Sequence, residues 1–181
     1  MNEIWDMDNQ LFNLVNELYS NNKQNQKEQF SKITSKNLIN YALSAKVTAD
    51  SEFRNQNNIY FKASQAVNCK WENWSVNMWY SDELISTHWL KVDLGQSREI
   101  SKFIIRHNNV RGEITVDFKI QGSHNGKRWD NLIVITGNDS NTTTHDIIPT
   151  AYRYFRLYIT YPGQNDFFAR INNFEIWGVQ E

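Results

Sequence analysis

The chain is expected to be an all-β protein, an antiparallel β-sandwich of jelly-roll type with an N-terminal helical extension. Three observations lead there. From about residue 37 onward, short runs rich in Val, Ile, Phe, Tyr and Trp alternate apolar and polar side chains, the period of a strand with one dry face. Clusters of Asn, Asp and Gly separate the runs at turn spacing. No helical period of useful length interrupts them, so the strands must pair with one another without crossover helices.

Ile4, Leu11, Leu14, Val15, Leu18 and Tyr19 fall at helical spacing, and NNKQNQKEQFSKITS continues as polar helix or linker. This sets an extension at 1–35 and the sandwich at 36–181. The helix packs on its own domain or links to a neighbour; self-association through it is the sharper reading. In HWLKVDLG, Leu90, Val92 and Leu94 oppose Trp89, Lys91 and Asp93, and Gly95 ends the strand. Glu99 to His107 forms the next. Ile114 to Gln121 alternates Ile114, Val116, Phe118 and Ile120 with Thr115, Asp117, Lys119 and Gln121, and SHNGKRW follows. Asn125-Gly126 marks a hairpin reversal, because such turns need positive φ angles that Asn and Gly tolerate. Trp129 is then expected to close over the core. Trp129 to Thr136, Thr143 to Ile148, Tyr152 to Tyr161 and Arg170 to Val179 complete the strands; in the third, Phe155, Leu157 and Ile159 oppose Tyr154, Arg156 and Tyr158.

Length suits one domain of ordinary size plus an appendage. A net charge of -1 and a pI near 6.4 give no bulk attraction to nucleic acid or acidic membranes. The single cysteine, Cys69, excludes an internal disulfide and a cysteine-rich metal site, and is expected to be a small buried filler. No apolar run is long enough to span a bilayer as a helix. MNEIWDMDNQ lacks the basic start of a secretion signal, which leaves a cytoplasmic chain or a mature form separated from its signal or catalytic partner. His88, His107, His124 and His145 are scattered, and neither a nucleophile elbow nor a phosphate-cradling glycine loop occurs, so an independent enzyme is not expected. Trp71, Trp74 and Trp79 in KWENWSVNMW offer an aromatic platform or a cover for the sandwich end.

Read in order, NLINYALSAKVTADSEF, AVNCKWENWSVNMWYS, HWLKVDLGQSREISKFIIR, DFKIQGSHNGKRWDNL, YRYFRLYIT and NNFEIWG resemble the discoidin family, the coagulation factor 5/8 type C domain. That family is similar to the galactose-binding family 32 carbohydrate-binding modules of bacterial glycosidases. WLKVDLG, the S-x-N-G-x-x-W turn, RYFRL and the terminal EIWG carry the resemblance, which runs from about Asn37 to Gly178. It implies a non-catalytic module or lectin that binds galactose-type or acidic sugars through loops at one end of the sandwich. A phospholipid-binding or protein-interaction discoidin domain is the alternative, the membrane version being disfavoured by Asp166 beside Phe167-Phe168, the only candidate for an apolar loop spike.

Carried over by resemblance, Tyr80 takes the place of the family's sugar-binding His, Arg106 that of its Arg, Arg111 that of its Asn, and Phe167 or Phe168 that of its loop aromatic. Asn108, beside Arg106, and Trp74 complete the candidate set. The types suit glycans, since aromatic faces stack on pyranose rings while Arg and Asn hold neighbouring hydroxyls. Arg106 with Arg111 would also fit a carboxylate-bearing sugar. Relatives hold a structural calcium in an A-x-D-G segment completed by a late Glu; here AVNC puts Asn68 at the Asp, Cys69 at the Gly, and Glu175 at the Glu. The resemblance therefore implies a weakened Ca2+ site, because calcium requires several hard oxygen ligands.

Overall fold

The computed structural model describes residues 14–25, 37–43, 45–72, 76–82 and 87–180. The chain divides into two compact units, Met1–Leu38 and Ile39–Glu181. In the first, residues 14–25 are helical, and Leu14, Val15, Leu18 and Tyr19 are all exposed. The helix expected over Ile4 and Leu11 lies outside the described residues, as does most of the polar stretch after it.

From Leu38 onward the elements are β1 (Leu38–Asn40), β2 (Lys46–Ala49), a short 3-10 helix (Ala63–Val67), β3 (Trp79–Tyr80), β4 (His88–His107), β5 (Asp117–Ser123), β6 (Asp130–Ile135), β7 (Thr142–Tyr161) and β8 (Arg170–Val179). Hydrogen bonding runs in the order β1-β8-β4-β7-β5-β6, with β2 on β4 and β3 on β8. Runs expected as separate strands are continuous in β4 and again in β7, each of 20 residues.

Each long strand serves two layers. His88 to Asp93 pairs with Ile159 to Tyr154 and with β2, whereas Ile100 to Arg106 pairs with Thr150 to Thr142 and with β8. The ladder shifts register between Asp93 and Arg98 and again between Ile100 and Lys102. Gly95 sits in the first shift at φ 81, its amide held by Asp93 Oδ1 at 2.9 Å. The glycine therefore bends the strand between layers and does not end it, as bulges do elsewhere.

Between the layers lie Leu90, Val92, Phe103, Ile105, Phe118, Ile120, Phe155, Leu157, Ile159, Phe174 and Ile176, all essentially inaccessible. Burial of one such side chain contributes roughly 1.5–3 kcal/mol. Because β4 and β7 double back, their beginnings and ends meet at one end of the sandwich. The connections 108–116, 136–141 and 162–169 gather there, tied by Asn138 N to Val116 O and by Gln164 and Asn165 N to Gly112 O. At the other end, the reversal expected at Asn125-Gly126 spans 124–129, with Gly126 at φ 69. Ser123 Oγ accepts from the Asn125 and Gly126 amides, and Asn125 Oδ1 from those of Lys127 and Arg128.

Two packing expectations are corrected. Trp129 does not enter the core; its ring lies under the Arg156 guanidinium, 4.3 Å away, on the outer face. A Trp directly after a long turn has an amphipathic neighbour available, and the cation offsets the exposure. Cys69 is exposed and has φ 56, the left-handed region glycine favours. That matches the place of Gly in the A-x-D-G segment: the backbone turn persists although the residue type has changed.

Candidate functional site

The predicted ligand residues separate into three places at the gathered end of the sandwich. Tyr80 and Phe168 meet edge to face, 5.2 Å between ring centroids, and Phe53 and Phe61 complete a four-ring cluster. Arg170 runs through it, 4.4 Å above the Tyr80 ring and only 5% exposed. Its guanidinium donates to Tyr80 Oη at 2.7 Å and to both Asp166 oxygens at 2.9 and 2.7 Å, and stands 3.4 Å from Glu113. Burial alone would push its pKa down, but Asp166, Tyr80 and Glu113 reverse the sign and hold it above the ordinary guanidinium value. Burial raises the Tyr80 phenol and outweighs the opposing pull of Arg170. Asn108, 1% exposed, donates to Glu113 at 2.7 Å and so joins the same network. These side chains are already partnered with one another. Their role is to fix the loops.

Phe167 and Phe168 divide at the bend before β8: Phe168 is half-buried and Phe167 is 52% exposed. The Phe167 carbonyl is 2.7 Å from Nε2 of the fully buried His88, whose Nδ1 is 2.7 Å from Asp50. Burial would raise the Asp50 carboxyl, yet the hydrogen bonds from His88 and the Trp89 amide bring it below the usual range. Ser81 Oγ accepts from the Ala169 amide at 2.8 Å. The base of the exposed Phe is thus rigid while its ring faces solvent.

Arg111 lies on the rim of a cleft of about 440 Å³ that it shares with Gly112, Asn138, Asp139 and Gln164. Arg106 is elsewhere. Its guanidinium stacks 4.1 Å above the ring of Trp71, and its Nε lies 3.6 Å from Glu175. This pair forms one wall of a cleft of about 240 Å³ with Glu72, Asn109, Asn141, Thr142 and Asn172. His107 also borders it, but 2% exposed, with its Nε2 3.3 Å from Thr143 Oγ1. Thus Tyr80, Phe168 and Asn108 come together, whereas Arg106 and Arg111 do not join them. The register shift after Arg106 explains the split from Asn108, because it breaks the alternation that would otherwise put these two residues on one face of β4. Trp74 lies outside the described residues.

The residues do not fit the calcium reading. Asn68 Oδ1 accepts from the Lys70 amide at 2.8 Å, and the two Glu175 oxygens accept from Asn173 Nδ2 and Trp177 Nε1, each at 2.8 Å. Arg106 already supplies the cation opposite Glu175. Among the described residues no group of three or more His, Cys, Asp or Glu is placed to hold a metal ion. One carboxylate and one amide oxygen, both engaged, fall short of the six to eight oxygens calcium takes.

Sequence reasoning missed Arg170, Asp166 and Glu113 as the organising charges and Asn141 and Asn172 as cleft walls. Asp166 and Arg170 stand four apart around Phe167-Phe168, a spacing that marks an ion pair only when the segment curls. For Asn141 and Asn172 an Asn-rich chain gives no local signal.

Comparison with known proteins bears on this geometry. No curated relative matches the sequence. Among solved structures, chitosan-binding module 1 of a chitosanase/glucanase from Paenibacillus sp. IK-5 superimposes with a TM-score of 0.64 at 22% identity, covering 77% of this chain and 99% of that one. The family 32 carbohydrate-binding module of NanJ from C. perfringens, solved with galactose, gives 0.63 at 19% identity, covering 78% and 99%. A fucose-binding module from Streptococcus pneumoniae gives 0.64 at 20% identity, covering 78% and 99%. At these identities the likeness establishes the fold. The family model of the F5/8 type C domain matches residues 46–174, most of the sandwich, and the chain belongs to that family.

Proposed function

We propose that the protein is a non-catalytic glycan-binding module and that its sugar site is the cleft walled by Trp71 and Arg106. The observation that carries the reading is the Trp71–Arg106 stack in a cleft otherwise lined by Glu72, His107, Asn109, Asn141, Thr142 and Asn172. Trp71 is 37% exposed, enough to present a ring edge and part of a face to a pyranose. The amides, the hydroxyl and the Glu72 carboxylate provide donors and acceptors at several heights, which suits a ligand that carries adjacent hydroxyls. Among the described residues lining the cleft, none forms a nucleophile with its base. That neighbours of the same fold include modules solved with galactose or described as binding chitosan or fucose supports the class of ligand.

The charge balance favours a neutral sugar. Glu175 stands beside Arg106 and Glu72 lines the rim, so a ligand carboxylate would meet compensated, not free, positive charge. The test is a glycan array on the full chain, followed by titration of the best ligand against Trp71→Ala. Loss of the ring should weaken binding about tenfold or more, equivalent to about 1.4 kcal/mol, with the melting temperature little changed. Parental affinity in Trp71→Ala would place the site elsewhere.

A further inference from the structure

The outer face of the layer formed by β2, the first half of β4, the second half of β7, and β5 lies apart from the cleft. Its side chains fall into cross-strand rows. Trp89, Tyr158 and Lys119 form one; Thr48, Lys91 and Arg156 the next, ending on the nearly buried Gln121; Lys46, Asp93 and Tyr154 the third, ending at the buried Ser123. Their partners along each strand, Leu90, Val92, Phe155, Leu157 and Ile120, point into the core. The rows therefore share one surface, about 14 Å across four strands.

That surface combines fixed cations with aromatic rings. The Arg156 guanidinium lies 4.3 Å from the Trp129 ring and 4.8 Å from the Tyr158 ring, while its Nε and Nη2 donate to Gln121 Oε1 at 2.9 and 2.7 Å. Asn131 receives the Gln121 amide at 2.7 Å and locks the arrangement. Lys91 extends over Trp89 at 5.6 Å. Two carboxylates lie on the face: Asp93 takes two hydrogen bonds from Arg153 and is further stabilised by Lys46, and Asp117 Oδ1 accepts from the Gly137 amide. Among the described residues, Lys46, Lys91, Lys119 and Arg156 have no ion pair. A chain of net charge -1 thus gathers more cations than carboxylates on one aromatic sheet face, Lys46, Lys91, Lys119, Arg153 and Arg156 against Asp93 and Asp117. Burial lowers the Arg156 pKa with only Tyr158 opposing it, so an arriving anion would meet a guanidinium lacking a countercharge.

We infer that this face is a second binding surface, distinct from the Trp71 cleft, and that its ligand is an acidic polysaccharide whose sugar rings lie on Trp89, Tyr158 and Trp129 while its carboxylates or sulfates meet Lys91, Lys119 and Arg156. A polysaccharide suits the surface because rings and cations alternate across a broad, open sheet. The inference does not depend on the cleft's ligand.

The test uses the full chain. Polygalacturonate and heparin are titrated beside a neutral galactan, at low and high salt, with the parent, Trp71→Ala, and the pair Lys91→Glu with Lys119→Glu. One or both polyanions should bind more tightly at low salt, and which one does separates carboxylate from sulfate recognition. Charge reversal should weaken that binding about tenfold or more, while Trp71→Ala leaves it unchanged. If the reversed pair does not fold, as judged by melting, Lys46→Glu with Lys119→Glu replaces it. Failure of both polyanions to bind, binding indifferent to charge reversal, or equal binding of duplex DNA or phosphatidylserine vesicles would overturn the inference.

Discussion

Acidification from pH 7 to pH 5 should destabilise the sandwich, and His107 is the principal reason. The ring is 2% exposed at the end of β4, packed 5.2 Å from Phe118, with Nδ1 buried and without a hydrogen-bond partner. Burial, with a smaller push from His145, lowers its pKa from 6.5 to about 3. In the unfolded chain the imidazole takes up a proton below about pH 6.5, whereas in the folded chain it stays neutral until about pH 3. The unfolded state therefore binds more protons throughout that window. Stability is full above it and falls as the pH drops through it. At pH 5 the imbalance amounts to about 2 kcal/mol, a fall in melting temperature of about 4–8 °C for a domain of this size. His145, also lowered by burial despite Asp146, adds in the same direction. Thermal melts of the parent and of His107→Phe at pH 7, 6 and 5 measure the effect, because Phe keeps the ring and cannot take the proton. The variant should retain only a shallow slope. A parent whose melting temperature is flat from pH 7 to 5, or a variant with the parent's full slope, would refute the reasoning.

Arg170→Met should destabilise the protein by about 3 kcal/mol or more in chemical denaturation, since Asp166 and Glu113 would be left half-buried without their cation; a loss within the range of an ordinary surface change would show that the ring cluster holds the loops without it. Chelation with EDTA should leave the melting temperature unchanged, because Glu175 is satisfied by Asn173, Trp177 and Arg106; a drop of several degrees, restored by calcium, would reinstate a metal at that position.

The sequence by itself determined the class of fold and the family. Alternation in HWLKVDLG, DFKIQGS and YRYFRLYIT fixes which side chains face inward, because a strand's period of two depends only on the chain's own geometry. Leu90, Val92, Phe118, Phe155 and Leu157 are accordingly buried. For Phe167 and Phe168 that logic does not apply, because the segment bends; Phe167 is exposed and Phe168 only half-buried. Cys69, at the place where the resemblance puts a glycine, adopts the left-handed backbone that glycine favours.

Only the tertiary structure decided which residues share a site. Whether Gly95 ends a strand or bends it depends on the ladder on either side, and that bend lets β4 and β7 gather distant loops at one end. Arg106, Tyr80 and Phe168 are alike in sequence as candidate ligand contacts. A register shift and the competing attractions of Glu175, Asp166 and Glu113 send Arg106 to Trp71 and put Arg170 between the other two. Charge pairing acts through space between residues as far apart as Glu113 and Arg170, and no window of neighbouring residues contains it.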